Sequence, residues 1–231
     1  MLLPLAATLL LIAGAWASPA RTHPVLFRSF LAAGGALLLW QLLLFAAARR
    51  RTLALDVSFR PQHYLQALSQ LVILIYWGWY WREVYDFAYL IGAQLLFAYA
   101  LEALLAWSRR DRHTLGFGPV PIVFSINLFL WFRPEWFYLQ FVLVALGYCA
   151  KELIRWNKDG RRTHIFNPSS FPLSVVSLVL LATGATDITY GVEIATTQLF
   201  PPHIYLVVFL AALPVQLLFG VATMTLAAVT T

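Results

Sequence analysis

Long runs of hydrophobic residues, separated by short polar turns, make up most of this chain. A helix needs about 20 residues to cross a hydrocarbon core of roughly 30 Å, and most of the runs approach that length. The runs are continuous, whereas the strands of a membrane β-barrel alternate between apolar and polar residues. We therefore predict an all-α, polytopic integral membrane helix bundle that forms one transmembrane domain over residues 1–231. Its eight predicted segments are Leu2–Trp16, Leu26–Ala48, His63–Trp81, Phe87–Trp107, Pro119–Phe132, Trp136–Ile154, Ser169–Ala182 and His203–Thr225.

Composition agrees with this environment. Hydrophobic residues make up 61% of the chain and charged residues only 11%, and the mean hydropathy is +0.75. Soluble domains carry roughly a quarter charged residues. The composition therefore excludes an ordinary soluble domain.

The net charge of +6 comes mainly from three basic clusters at the ends of hydrophobic runs: Arg49–Arg51, Arg109–Arg112 and Lys151–Arg162. Cytoplasmic loops of membrane proteins carry such an excess of Lys and Arg. An N-terminus inside puts 12 of the 16 basic residues on one face. This distribution indicates membrane topology and argues against nucleic-acid binding.

The first segment ends in Ala15-Trp16-Ala17, which has the form of a signal-peptide cleavage site. A signal peptide normally begins with a basic region, and none precedes Leu2. We therefore expect a retained helix.

Two of the eight segments are short. Pro119–Phe132 and Ser169–Ala182 each have 14 residues and are opened by prolines, and 14 helical residues extend only about 21 Å. Paired short, proline-opened segments indicate broken helices that line a site inside the membrane. The alternatives are that flanking residues extend each helix or that the bilayer thins locally.

No nucleophile–base arrangement, phosphate-binding loop or zinc-protease motif is present, so we predict no catalytic residue and no autonomous active site. The single cysteine, Cys149, excludes an intrachain disulfide and cysteine-based metal sites, and we predict no metal ligands. All five histidines fall in loops or at helix ends, which argues against paired haem ligands. Glu102 lies inside an apolar run, so it is either functional, or extends toward the membrane interface, or pairs with Arg109 or Arg110. We expect Asn127 and Gln94 to join helices by hydrogen bonding.

The most informative stretch follows the third basic cluster. Arg161-Arg162-Thr163-His164-Ile165-Phe166-Asn167-Pro168 precedes a short apolar run that ends in Thr183-Gly184-Ala185-Thr186. Pro168 can open a helix, because the N–H that proline lacks is unsatisfied at a helix start anyway. Such a start, beside a basic loop, suits an anionic or electron-rich group. The alternative is a capped helix entry after a positive loop, with an ordinary helix end at Thr183–Thr186.

This stretch resembles the Rnf D/Nqr B membrane family, whose members belong to the Rnf electron-transport complex and to the sodium-pumping NADH:quinone reductase, and it is most similar to the branch found in enediyne gene clusters. The resemblance is clearest over residues 151–202. It implies FMN on Thr186 through a phosphoester bond, with Thr183, Gly184, Ala185 and Asn167 as further cofactor-site residues and Asp187 and Tyr190 shaping the pocket. It also implies a bacterial inner-membrane location, membrane-subunit and lipid partners, and relatives that continue beyond Thr231.

The flavin-attachment signal of the respiratory members usually has Asp three residues before its first Ser or Thr, where this chain has Leu180. We therefore expect an unmodified Thr186 that caps its turn by hydrogen bonding. The resulting function is an electron-transport subunit that either carries flavin or keeps the scaffold without it. One alternative is a small docking subunit of a respiratory or photosynthetic assembly. Another is a transporter built on the two short segments.

Overall fold

The computed structural model describes residues 2–47, 53–110, 112–158, 160–198 and 201–230. Helices make up 77% of the structure, which confirms the prediction of a mainly helical chain. The basic cluster at residues 49–51 lies outside the described residues. The α-helices are α1 Leu2–Gly14, α2 Ser18–Thr22, α3 Pro24–Ala47, α4 Pro61–Tyr80, α5 Glu83–Asp86, α6 Ala88–Arg109, α7 Pro119–Phe129, α8 Tyr138–Leu153, α9 Ser170–Thr183, α10 Gly191–Thr197, α11 Ile204–Phe219 and α12 Ala222–Thr230.

Two of these helices, α3 and α6, are long and apolar enough to cross a membrane. Four shorter apolar helices, α1, α7, α9 and α11, match predicted segments in position but are 11 to 16 residues long. The helices α7 and α9 are short in the structure as well, because turns precede each of them and no residue upstream extends the helix.

The last predicted segment is wrong as a single helix. It breaks at Gly220, whose φ of +68° lies in the left-handed region. Gly220 N–H donates to the Leu217 carbonyl, and Val221 N–H donates to the Gln216 carbonyl. This is the glycine-terminated helix end in which a left-handed residue allows the last carbonyls to be satisfied. Helix α12 then starts as a separate element.

Four short strands were not predicted. Strands β1 (Ala54–Val57) and β2 (Arg112–Leu115) pair in parallel, whereas β3 (Arg155–Lys158) and β4 (Arg161–His164) pair antiparallel. A signal for the hairpin was present in Asp159-Gly160, a dipeptide favoured in two-residue hairpin turns. Nothing local marks β1 and β2, because their pairing joins segments more than 50 residues apart.

Helix α6 is the centre of the bundle. Within its most apolar 18-residue window 72% of the residues are buried, compared with 22% for α3. Helices α1, α3, α7 and α8 pack around α6. Several buried positions of α6 are alanines, which allow neighbouring helix backbones to approach closely; they are Ala93, Ala98, Ala100, Ala103 and Ala106.

The two ends of the bundle differ in chemistry. We call the end with the four strands the basic end and the opposite end the aromatic end. At the aromatic end, buried aromatic rings pack with centroid separations of 4.8 to 6.4 Å. These rings are Trp77, Trp81, Phe87, Trp131 and Phe137. Helices α4, α7 and α9 begin at the basic end, and α6, α8 and α11 finish there.

Candidate functional site: a basic cavity at one end of the bundle

Of the five residues that the sequence assigned to a flavin site, Asn167 lies apart from the other four. Asn167 precedes α9 at the basic end, whereas Thr183, Gly184, Ala185 and Thr186 lie at its other end, 14 helical residues away. At 1.5 Å per residue, the helix between them is about 21 Å long. Asn167 and Thr186 therefore cannot contact the same small group.

Asn167 acts as a helix cap. Its side-chain Oδ1 accepts hydrogen bonds from the N–H groups of Ser169 (2.9 Å) and Ser170 (3.3 Å) and from the Ser169 hydroxyl (2.8 Å). An Asn oxygen at this position satisfies donors that the first helical turn leaves without an intrahelical partner. This geometry matches the capped-entry alternative of the sequence analysis.

The segment Thr183–Thr186 forms a glycine-terminated helix end. Gly184 has φ +69°, and Ala185 N–H donates to the Leu180 carbonyl at 3.0 Å. The Thr183 hydroxyl donates back to the Val179 carbonyl at 2.8 Å. Small residues are needed here because the chain turns through the left-handed region.

Thr186 lies in a short 3₁₀ turn and its side chain is exposed. Its carbonyl oxygen accepts hydrogen bonds from Thr189 N–H (3.1 Å) and the Thr189 hydroxyl (2.7 Å). The predicted capping by Thr186 is therefore made by its main chain. Its hydroxyl has no hydrogen-bond partner among the described residues.

Arg133 holds the segment that follows Thr186. Its Nε donates to the Asp187 carbonyl at 2.8 Å, and its Nη2 pairs with Glu193 at 2.9 Å. Its guanidinium also lies 5.0 Å from the centre of the Tyr190 ring, and burial raises the pKa of the Tyr190 phenol. The contacts of Asp187 and Tyr190 thus stabilise the loop.

A cavity of about 760 Å³ opens at the basic end. The starts of α4, α7 and α9 border it, together with the far ends of α6, α8 and α11 and strands β2 and β4. Among the described residues that line it, five carry a positive charge and one is a carboxylate, Glu102. The five cations are Arg60, Arg110, Arg112, Lys151 and Arg155.

Two carboxylates partly balance these charges. Glu102 forms an ion pair with Lys151 at 2.6 Å. The alternative that Glu102 is paired is therefore confirmed, but the predicted partners Arg109 and Arg110 are wrong. Glu152, which is 7% exposed, accepts from Arg110 (2.7 Å) and Arg155 (2.6 Å). These ion pairs hold Lys151, Arg110 and Arg155 in fixed positions.

Two cations at the cavity have no anionic partner among the described residues. Arg60 precedes α4 and Arg112 begins β2, and both side chains are exposed. Neither makes an ion pair with any residue that the structure describes. The guanidinium groups of Arg60 and Arg112 are thus available for a ligand.

Three of the five histidines, which the sequence placed in loops or at helix ends, line this cavity: His63, His113 and His164. Burial, more than the nearby cations, lowers the pKa of both His113 and His164. His113 is 5% exposed, and its Nε2 atom has no hydrogen-bond partner in the described structure. No group of three potential metal ligands forms among the described residues.

A buried amide network ties together the helices that border the cavity. Asn127 on α7 exchanges hydrogen bonds with Gln94 on α6 (2.9 and 3.3 Å) and accepts one from Gln140 on α8 (3.2 Å). Gln140 also donates to the Leu130 carbonyl at the end of α7. The prediction that Asn127 and Gln94 join helices is confirmed.

A repeated sequence element could have revealed the cavity. Phe59-Arg60-Pro61, Phe117-Gly118-Pro119 and Phe166-Asn167-Pro168 each follow a short strand and open a helix. Only the third was singled out from sequence. In the structure all three border the cavity, and the parallel pairing of β1 with β2 brings the Phe59 and Phe117 rings to 6.0 Å.

The chain has no significant match among protein-family models, curated proteins or solved structures.

Proposed function

We propose that this chain is an integral membrane subunit of an electron-transport complex, of the Rnf D/Nqr B type, and that it keeps the scaffold of such a protein without covalent flavin. Its eight predicted segments cross the bacterial inner membrane, with the N-terminus and the basic end in the cytoplasm. The sequence resemblance over residues 151–202 supports the family, and the charge distribution supports the orientation.

The separation of charge between the two ends carries this proposal. Among the described Lys and Arg residues, only Arg21, Arg28, Arg82 and Arg133 lie at the aromatic end, and the rest lie at the basic end. A cytoplasmic excess of Lys and Arg is the usual determinant of membrane orientation, and Trp and Tyr settle at the interfaces. Basic residues gathered at one end of the helices are the arrangement expected of a protein that spans a bilayer.

Exposed apolar side chains give further support. Helix α3 presents Leu39, Leu42 and Leu43 away from the bundle, each at least 56% exposed. Contiguous apolar surface of this kind marks contact with a membrane or with a partner. Because α3 has 24 residues and is long enough to cross a bilayer, we expect this surface to contact lipid.

The two short helices fit the same arrangement. Helix α7 is 11 residues long, or about 16 Å, and it starts at the cavity rather than beyond it. Non-helical backbone at membrane depth is tolerated where it is buried in protein or lines a polar cavity. In this arrangement the cavity lies in the part of the hydrocarbon core that α7 and α9 are too short to cross.

Thr186 is proposed to be unmodified. Because the Thr186 side chain is exposed, burial does not prevent its modification. The argument is instead the missing acidic residue: Leu180 stands in that position and is buried on α9, at 7% exposure. The chain then contributes scaffold and contacts to the complex, and other subunits carry the electrons.

Topology is tested by cysteine labelling in a Cys149→Ala background. Asn157 at the basic end and Asp187 at the aromatic end are both exposed, so each is replaced by cysteine in turn. We expect a membrane-impermeant maleimide to label Asp187→Cys in spheroplasts and Asn157→Cys only after permeabilisation. External labelling of Asn157→Cys would overturn the orientation.

The absence of covalent flavin is tested by intact-mass measurement of the chain expressed with its flavin transferase. We expect the unmodified mass and no flavin fluorescence in a denaturing gel. An added mass of one FMN that persists in Thr183→Val but is lost in Thr186→Val would show that the chain is an electron carrier instead.

A further inference from the structure

Within the part of the chain that the structure describes, the cavity at the basic end has an excess of positive charge. Its five cations face two carboxylates among the described residues, Glu102 in the lining and Glu152 behind Arg110 and Arg155. Arg60 and Arg112 are left without an anionic partner in the described part of the chain. Like charges gathered at one concave site raise the local concentration of anions.

Three helix starts add to this potential. Helices α4, α7 and α9, of 20, 11 and 14 residues, all begin at the cavity. The N-terminus of a helix carries roughly half a positive elementary charge. Pro119 and Pro121 remove two N–H donors from the start of α7, so this helix contributes its dipole and the side chains contribute the hydrogen bonds.

An independent observation comes from His113. This side chain lines the cavity, is only 5% exposed, and leaves its Nε2 atom buried without a partner among the described residues. A buried polar atom without a hydrogen bond is energetically unfavourable, and of the nine such side-chain atoms in the described structure this one belongs to a residue that lines the cavity. The Nε2 atom is itself closed off from solvent, so a ligand oxygen would satisfy it once the His113 ring turns toward the cavity.

The residue types select the ligand chemistry. Four of the five cations are arginines, whose planar fork binds phosphate oxygens in pairs. A volume of about 760 Å³ lies within the range of about 300–1,000 Å³ for small-molecule and cofactor sites. The cavity is thus large enough for a phosphate group together with the molecule that carries it.

We propose that the basic cavity binds the phosphate or diphosphate group of an anionic ligand, held by Arg60 and Arg112 with His113 as a further hydrogen-bond partner. Lys151 and Arg155, fixed by their carboxylates, supply the surrounding positive field. This site is distinct from Thr183–Thr186, at the far end of α9, and the proposal is independent of the electron-transport role. The ligand is either a soluble phosphorylated molecule or a phospholipid headgroup.

The test measures binding to the full chain in detergent, with inorganic diphosphate as the soluble probe and calorimetry as the readout. Arg60→Gln and Arg112→Gln remove one charge each from exposed side chains, so the fold is expected to persist. Arg28→Gln, also exposed but at the aromatic end, is the matched control. We expect each cavity variant to weaken binding at least tenfold and the control to change it less than twofold.

A second arm tests the lipid source. Native mass spectrometry from nanodiscs compares retention of phosphatidic acid with that of phosphatidylcholine in the same three variants. If the cavity variants lose diphosphate binding but retain phosphatidic acid, the ligand is a soluble molecule. If they lose phosphatidic acid but still bind diphosphate, the ligand is a phospholipid headgroup. The proposal is overturned if neither probe binds, or if Arg28→Gln reduces binding as much as Arg60→Gln and Arg112→Gln do.

Discussion

Replacing Gly147 with alanine is expected to destabilise the protein by about 1–3 kcal/mol, the usual cost of forcing extra atoms into a packed core. Gly147 lies on α8 where the start of α9 crosses it, and a Cβ there would overlap the Pro168 carbonyl oxygen. The overlapping atom belongs to the main chain and the Pro172 ring is also near the added Cβ, so the clash cannot be relieved by a flexible side chain. The start of α9 would have to move away from α8.

The matched control is Gly92→Ala on α6. A Cβ at Gly92 meets nothing within 4 Å, and alanine is the better helix former by about 1 kcal/mol. Unfolding midpoints in a series of denaturing detergent mixtures should therefore fall for Gly147→Ala and stay level or rise for Gly92→Ala. Equal midpoints would mean that α8 and α9 do not approach as closely as the structure has them.

Replacing Asn127 with leucine is expected to cost about 2–4 kcal/mol. The side chain is fully buried and makes hydrogen bonds to Gln94, Gln140 and the Val123 carbonyl. Its loss leaves the two glutamines short of partners in an apolar core, where each unsatisfied polar group costs about 1–3 kcal/mol. Helix α7 would lose the side-chain hydrogen bonds that join it to α6 and α8.

A double-mutant cycle separates this network from a simple packing defect. Gln94→Leu alone removes one partner from Asn127, which keeps Gln140 and the Val123 carbonyl. Gln94→Leu with Asn127→Leu removes both members of the pair that exchanges two hydrogen bonds. Replacing both partners by apolar groups is cheaper than removing one, so the double variant should cost less than the sum of the two single variants. Strict additivity of the unfolding free energies would contradict the hydrogen-bonded network.

The longer helices were predictable because each is marked by a continuous apolar run, whereas the short helices α2, α5 and α10 were not predicted. Pro119 and Pro168 indicated two helix starts from sequence, whereas the start of α4 at Pro61 was missed, since that segment was predicted from His63. The buried positions of Gln94 and Asn127 also followed from sequence, since a polar residue inside an apolar run needs a partner. The break at Gly220 was missed because its flanks are equally apolar, and only the backbone conformation separates α11 from α12.

The cavity was missed for a different reason. His63, His113 and His164 are about 50 residues apart along the chain, and nothing local links them. Their convergence depends on the parallel pairing of β1 with β2, a contact between distant segments that no periodicity encodes. Glu102 illustrates the same limit: sequence proximity suggested Arg109 or Arg110, but the fold supplies Lys151 from α8.

The pairing of β1 with β2 is the contact on which the basic cavity depends, and disulfide cross-linking tests it directly. In the ladder Asp56 lies opposite Thr114, whereas Ala54 lies opposite Arg112. An offset of two residues adds roughly 6.6 Å along a strand, and cysteines whose Cα atoms are more than about 7 Å apart cannot be bridged.

The measurement compares two double-cysteine variants in a Cys149→Ala background, oxidised in native membranes. We predict that Asp56→Cys with Thr114→Cys forms an intramolecular disulfide rapidly, and that Ala54→Cys with Thr114→Cys does so much more slowly. Equal rates for the two pairs, or no disulfide in the first, would contradict the structure of the basic end and with it the ligand cavity.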